Sequence, residues 1–129
     1  MERFVNICVV CAGSALGGGL RYLVSLFTAE RGWTSFAWPT LIVNVVGCFL
    51  IMLIVTIGGV VTMRTNVRLF LTTGIMGGLT TYSTFDFDTT KYFQDGAPAM
   101  AFLNIAVTLV ACFVAGLLGI VLAHWLIGE

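Results

Sequence analysis

Polar side chains at helical spacing interrupt otherwise apolar runs in this chain of 129 residues. Thr40 and Asn44 are four residues apart in one run, so they share one helix face. Asn104, Thr108 and Cys112 repeat that spacing in the last run. Polar groups are costly in hydrocarbon and indicate an ion or substrate pathway, although they also join neighbouring helices. The pattern leaves both interpretations open.

The segment from Gly74 to Phe85, GIMGGLTTYSTF, holds the densest group of such residues. Three glycines followed by hydroxyl and β-branched residues disfavour a continuous helix, so we predict a break at Gly77-Gly78. Backbone groups freed inside a bilayer are costly unless they are buried in protein or line a wet cavity. Freed carbonyls suit a cation, and freed amides or hydroxyls suit an anion. The segment predicts an ion site or a pore wall, with a flexible hinge as the alternative.

Arg21 is the one charged residue inside the first apolar run, and it follows Gly13 and Gly17 at intervals of four. The glycines are typical of close helix packing. Arg21 either extends its side chain to the membrane interface or holds positive charge at a vestibule.

The four cysteines, Cys8, Cys11, Cys48 and Cys112, all lie within apolar runs. A zinc site at the first pair would need two further ligands, and the single histidine lies at the far end of the chain. We therefore interpret the cysteines as small packing residues.

The composition indicates what positions these side chains. The chain is 59% hydrophobic and 9% charged, with six basic and six acidic residues, whereas soluble domains carry roughly 25% charged residues. These values exclude a soluble enzyme, a nucleic-acid-binding protein with a basic patch and a disordered chain. We predict a single integral membrane domain over residues 1–129.

Four apolar runs are long enough to cross a bilayer, which takes ~20 residues in a helix. They cover residues 4–27, 37–61, 69–87 and 98–127. The first run is too long for a signal peptide. The prediction is an all-α membrane fold with four transmembrane helices, of which the third is broken.

The basic residues divide equally between the two sides of this arrangement. One side has Arg3, Arg64 and Arg68, and the other has Arg21, Arg31 and Lys91. Orientation normally follows the side richer in Lys and Arg, so the rule gives no preferred orientation. Either one residue decides the topology, or the chain inserts both ways and forms an antiparallel dimer.

The same motifs resemble those of the Fluc (CrcB) fluoride channels. Residues 74–85 resemble the signature segment of that family, residues 40–44 (TLIVN) its second-helix motif, and residues 13–22 (GSALGGGLRY) its first-helix motif. The match covers essentially the whole chain. It implies a passive fluoride-selective channel that exports fluoride across the cell (inner) membrane, built as a dual-topology, antiparallel homodimer.

The resemblance also implies roles for individual residues. The fluoride pathway would be lined by Asn44, Tyr82, Phe85, Thr40, Ser83, Thr84, Thr108 and Cys112. Arg21 would lie at a vestibule. The backbone carbonyls of Gly77 and Thr80 would hold a structural Na⁺ at the dimer interface.

A small dual-topology multidrug or cation exporter is the alternative function, since it has a similar length and number of spans. It would need a carboxylate in the first span, but the acids nearest to a span are Asp86 and Asp88, at the end of the third. A membrane enzyme or haem protein would need a catalytic set or paired axial histidines. We therefore expect a channel without enzymatic activity, whose partners are fluoride, the bilayer and a second copy, and not nucleic acid.

Overall fold

Helices make up nearly all of the computed structural model, which describes residues 1–128 and so leaves out Glu129 of the predicted domain. In chain order they are α1 (Glu2–Glu30), α2 (Trp38–Val60), α3 (Thr65–Leu69), α4 (Gly77–Leu79), α5 (Tyr82–Gln94) and α6 (Pro98–Ile127), with a π-helical segment, Phe70–Met76, joining α3 to α4. Helices α1, α2 and α6 are long and apolar enough to cross a membrane. With no strand in residues 1–128, the all-α membrane fold is confirmed.

The ends of the long helices follow from local sequence. Both α2 and α6 have a proline in their first turn, Pro39 and Pro98, where a missing backbone N–H costs nothing. Helix α6 is followed by Gly128, whose φ of 78° places it in the left-handed conformation that suits a residue without a Cβ.

The third span is broken as predicted, but the break lies at Thr80-Thr81 and not at Gly77-Gly78. Thr80 and Thr81 are extended, with ψ values of 155° and 122°. Gly77 is helical, at φ −64° and ψ −35°. The reason is on α2, where Gly47 leaves room for the Thr80 methyl group and Asn44 binds the Thr81 backbone.

The glycines of the third span instead permit close packing against α1. A Cβ on Gly78 would lie 2.9 Å from the Cα of Ser14, and one on Gly74 would lie 2.9 Å from the Cα of Gly13. Val43 of α2 forms a buried core cluster with Met76 and Leu79 of the third span. Helix α2 packs along α1, the third span and α6.

The two ends of the bundle are distinguished by what meets there. At one end, Glu2 and Asn6 line a cavity with Arg64 and Asn66, so the N-terminus lies beside the α2–α3 connection. At the other end, Phe36 of the α1–α2 connection stacks on Tyr92 of α5, with ring centroids 6.4 Å apart.

Candidate functional site

Asn44 holds the break in the third span with both ends of its amide. Its Nδ2 donates to the Thr81 carbonyl at 2.9 Å, and the Thr81 backbone N–H donates to its Oδ1 at 2.8 Å. Asn44 is buried, with 8% of its surface exposed. The side chain therefore replaces the helical partner that the Thr81 N–H lost, and it adds a donor to the Thr81 carbonyl. One N–H of Nδ2 is left for another acceptor.

The break frees backbone carbonyls at the end of α4 from their helical donors, those of Gly77 and Thr80 among them. In a continuous helix the Gly77 carbonyl would accept from the Thr81 N–H, and the Thr80 carbonyl from the Thr84 N–H. The Thr81 N–H donates to Asn44 instead, and the Thr84 N–H donates to the Thr81 hydroxyl at 3.2 Å. Carbonyl oxygens at an unwound helix end are suitable ligands for Na⁺.

Backbone carbonyls are oxygen ligands, the type that hard cations prefer. Within residues 1–128, no group of three or more His, Cys, Asp or Glu side chains is placed to hold a metal ion. The donor set at Gly77 and Thr80 thus fits a hard cation bound by oxygen.

Hydroxyl groups surround the N-terminus of α5. The Thr81 hydroxyl caps the helix and lies 3.2 Å from the Ser83 hydroxyl and 3.1 Å from the Thr84 hydroxyl. The amides of a first helical turn and the positive end of the helix dipole favour an anion. Ser83 and Thr84 are exposed beside them.

A groove between α2, α5 and α6 encloses a cavity of about 610 Å³. It brings together five of the predicted pathway residues, Asn44, Tyr82, Phe85, Thr108 and Cys112. The two aromatic rings differ in environment, since Phe85 is 8% exposed and Tyr82 is 77% exposed. Their centroids are 5.5 Å apart and their planes are tilted by 53°. We call this cavity the groove.

A second cavity, of about 320 Å³, brings together Arg21, Thr40 and Thr84. We call it the vestibule cavity. Thr81 lines both cavities and so forms the wall between them. Ser83 lines neither cavity.

Arg21 supplies the positive charge of the vestibule cavity. The ion pair found within residues 1–128 joins Lys91 to Asp95 at 3.0 Å, so no carboxylate of that range neutralises Arg21. The guanidinium is therefore available to an anion in the cavity.

Thr40 is engaged by a residue that sequence reasoning missed. Its hydroxyl donates to Asp88 Oδ2 at 2.6 Å. A hydroxyl has one hydrogen to donate, so in this arrangement Thr40 presents lone pairs and not a donor to the vestibule cavity. The two residues are 48 positions apart, and no local periodicity in the sequence relates them.

The three polar residues spaced four apart on α6, Asn104, Thr108 and Cys112, have different surroundings. Asn104 is buried and donates to the Thr89 hydroxyl at 2.9 Å, and Thr89 in turn donates to the Phe85 carbonyl at 2.7 Å. Asn104 therefore joins α6 to α5. One and two turns further along, Thr108 and Cys112 line the groove.

Known proteins resemble the chain over most of its length. The family model described as "CrcB-like protein, Camphor Resistance (CrcB)" matches residues 8–120. A protein of Agrobacterium fabrum (strain C58) named "Fluoride-specific ion channel FluC" is 39% identical over 93% of this chain and 97% of its own length. A protein of the same name from Anaeromyxobacter sp. (strain K) is 39% identical over 95% of this chain and 98% of its own. Another, from Clostridium perfringens (strain 13), is 39% identical over 84% of this chain.

Proposed function

Because the chain belongs to the CrcB-like family, we infer that it conducts fluoride passively across a cell membrane. The observation that carries this function is the 39% identity, over nearly the full chain, to proteins named as fluoride-specific ion channels. The chain is a multi-pass membrane protein and not an enzyme, in agreement with those names and with its long apolar helices. The small-exporter alternative is not favoured, since these relatives are named as channels.

The groove has suitable chemistry for a small, strongly hydrated anion. Burying a bare ion unassisted costs on the order of tens of kcal/mol, so donors must replace its water. Asn44 offers its remaining N–H and Tyr82 offers its hydroxyl, whereas the Thr108 hydroxyl donates to Asn104 Oδ1 at 3.5 Å. The edge of the Phe85 ring carries partial positive charge and completes the set. No Lys or Arg lines the groove, so no single strong site would hold the ion and slow its transit.

The vestibule cavity is the mouth of this pathway. The charge of Arg21 raises the local fluoride concentration there. Fluoride then passes the hydroxyls of Thr84 and Thr81, at the N-terminus of α5, into the groove.

A second copy in antiparallel orientation closes the groove. One chain leaves it open, with the large side chains of Tyr82, Leu109 and Phe113 exposed at its rim. Polar groups such as Asn44 and Thr108 are costly beside lipid, so a protein surface is a better cover. The equal division of basic residues favours insertion in both orientations.

The carbonyls of Gly77 and Thr80 hold a structural Na⁺ where the two copies meet. The two released carbonyls of one chain support this proposal, and a second chain would double the number of oxygen ligands. Exchange of Na⁺ for N-methylglucamine should lower the thermal midpoint of the purified dimer. An unchanged midpoint in the absence of Na⁺ and other small cations would argue against the site.

Efflux from proteoliposomes tests fluoride conduction directly. Liposomes containing purified protein are loaded with potassium fluoride or potassium chloride, and ion-selective electrodes record release after valinomycin is added. We expect fast fluoride release, little chloride release, and fluoride release that depends on valinomycin because a passive channel moves charge. Equal release of both anions would contradict fluoride selectivity. Fluoride release independent of valinomycin would indicate an electroneutral exporter.

A further inference from the structure

Three sulfur-containing side chains line the groove, and the proposed fluoride pathway leaves their chemistry unexplained. Cys48 and Met52 are four residues apart on α2, so they lie on one face of that helix. Cys112 faces them from α6. All three are partly buried, and both cysteines are free thiols.

The packing of α6 on α2 brings these side chains together. A Cβ on Gly116 would lie 3.4 Å from Cγ of Met52 and 3.8 Å from the carbonyl oxygen of Cys48. Cys112 precedes Gly116 by one turn on the same face of α6, and it lines the same cavity as Cys48 and Met52. The groove thus has two thiols on facing helices, with a thioether one turn from Cys48.

This donor set selects for a particular class of ion. Thiols and thioethers are soft ligands that prefer Cu⁺ and similar ions, whereas Mg²⁺ and Ca²⁺ require oxygen ligands. No His, Asp or Glu lines the groove, so a zinc ion would lack the four ligands of its usual tetrahedral site. We propose that Cys48, Met52 and Cys112 bind one soft monovalent cation, Cu⁺ or Ag⁺, in the groove.

Metal binding releases protons from the thiols and places an ion in the groove. Each metal–thiolate bond forms as the thiol releases its proton to solvent, and no electron is transferred. The bound ion would lie in the same cavity as Asn44, Phe85 and Thr108. It would therefore obstruct the groove, making soft cations inhibitors of a fluoride channel.

Native mass spectrometry of the purified full-length protein with silver nitrate, in chloride-free buffer, tests the binding. Cys8 and Cys11 are exposed on α1 and are a second pair of thiols, so the reference protein carries Cys8→Ser and Cys11→Ser. We expect it to retain one Ag⁺ per chain. Adding Cys48→Ser or Met52→Leu should weaken Ag⁺ binding by at least about tenfold, since changes even to groups around a metal ligand cost that much. Equal retention of Ag⁺ with and without Cys48 would overturn the proposal.

Two further measurements separate this site from the channel function. Ag⁺ should protect Cys48 and Cys112 of the reference protein from N-ethylmaleimide, a readout that needs no conduction. Micromolar Ag⁺ should reduce fluoride efflux through the reference protein by at least about tenfold if bound metal fills the pathway, and excess dithiothreitol should restore it. Each Cys48→Ser or Met52→Leu variant is compared with its own efflux before silver. Persistent inhibition in both variants would refute a block through this site.

Discussion

At the scale of a single residue, the Asn44 amide binds the backbone and is proposed to contact fluoride. Its carbonyl oxygen and one N–H hold the backbone of Thr81 in its extended conformation. Its second N–H is the donor that the proposed pathway offers to fluoride. A substitution at Asn44 therefore affects both the shape of the third span and the chemistry of the groove.

Asn44→Asp replaces the amide with a carboxylate of nearly the same shape. It removes the donor to the Thr81 carbonyl, which costs about 1–3 kcal/mol of stability for an unsatisfied buried group. Two like charges 4 Å apart repel by about 4 kcal/mol at an effective dielectric of 20, so fluoride efflux should fall by at least about 100-fold. The measurement is fluoride-electrode efflux from proteoliposomes. Asn66→Asp, at an exposed position of α3, is the matched control, and equal efflux from both variants would remove Asn44 from the pathway.

Phe85 provides a test of the aromatic edge. Phe85→Ile keeps a bulky apolar side chain at this buried position but removes the positive ring edge. We expect fluoride efflux to fall about tenfold while the dimer remains folded, because the lost contact is worth about 1–1.5 kcal/mol. Phe87→Ile, at an exposed position of α5 outside both cavities, should conduct normally. Loss of efflux in both variants would point to damage to α5 and not to a lost ring edge.

At the scale of helices, different residues of the third span serve helix packing and form the break. Glycine content led to the expectation of a break at Gly77-Gly78, yet Gly74 and Gly78 serve the contact with α1. The actual break needs Gly47 and Asn44 of α2, which make room for Thr80 and bind Thr81.

Particular residues show how far the sequence predicts this molecule. The apolar runs predict the long helices well, because bilayer thickness and helix rise leave few alternatives. The exact break does not follow from local sequence, because Asn44 and Thr81 are 37 residues apart. The same is true of the Thr40–Asp88 hydrogen bond. Such contacts depend on which helices are neighbours, and no periodicity within one helix contains that information.

The α1 contact makes a paired prediction for two glycines of one helix. A Cβ on Gly17 would lie 2.7 Å from the backbone N of Leu79, whereas one on Gly19 would meet nothing within 4 Å. Gly17→Ala should destabilise the protein by about 1–3 kcal/mol through overpacking against backbone. Gly19→Ala should stabilise it by about 0.5–1 kcal/mol through reduced chain entropy. Thermal unfolding in detergent measures both. A stable Gly17→Ala variant would mean that α1 does not approach the third span this closely.

At the scale of the whole molecule, the fold shows which connections lie at each end of the bundle. The N-terminus and the α2–α3 connection, which carries Arg64, share one end of the bundle. Phe36 and Tyr92 meet at the other end, near Arg31 and Lys91. The two connections that the charge count places on opposite sides thus lie at opposite ends of the bundle.

Dual topology predicts that a small change in this balance separates the two orientations. Thr62→Lys with Thr65→Lys adds two charges at exposed positions near the N-terminal end, and Thr34→Lys with Ser35→Lys adds two at the opposite end. Each double variant should insert in one orientation, because orientation follows the end richer in Lys and Arg. Neither alone should then form an antiparallel pair, and fluoride efflux from cells should fall to background. Expression of both together should restore efflux, since the two orientations complement each other. A double variant that inserts in one orientation, shown by labelling an added terminal cysteine from each side, and still conducts alone would exclude the antiparallel dimer.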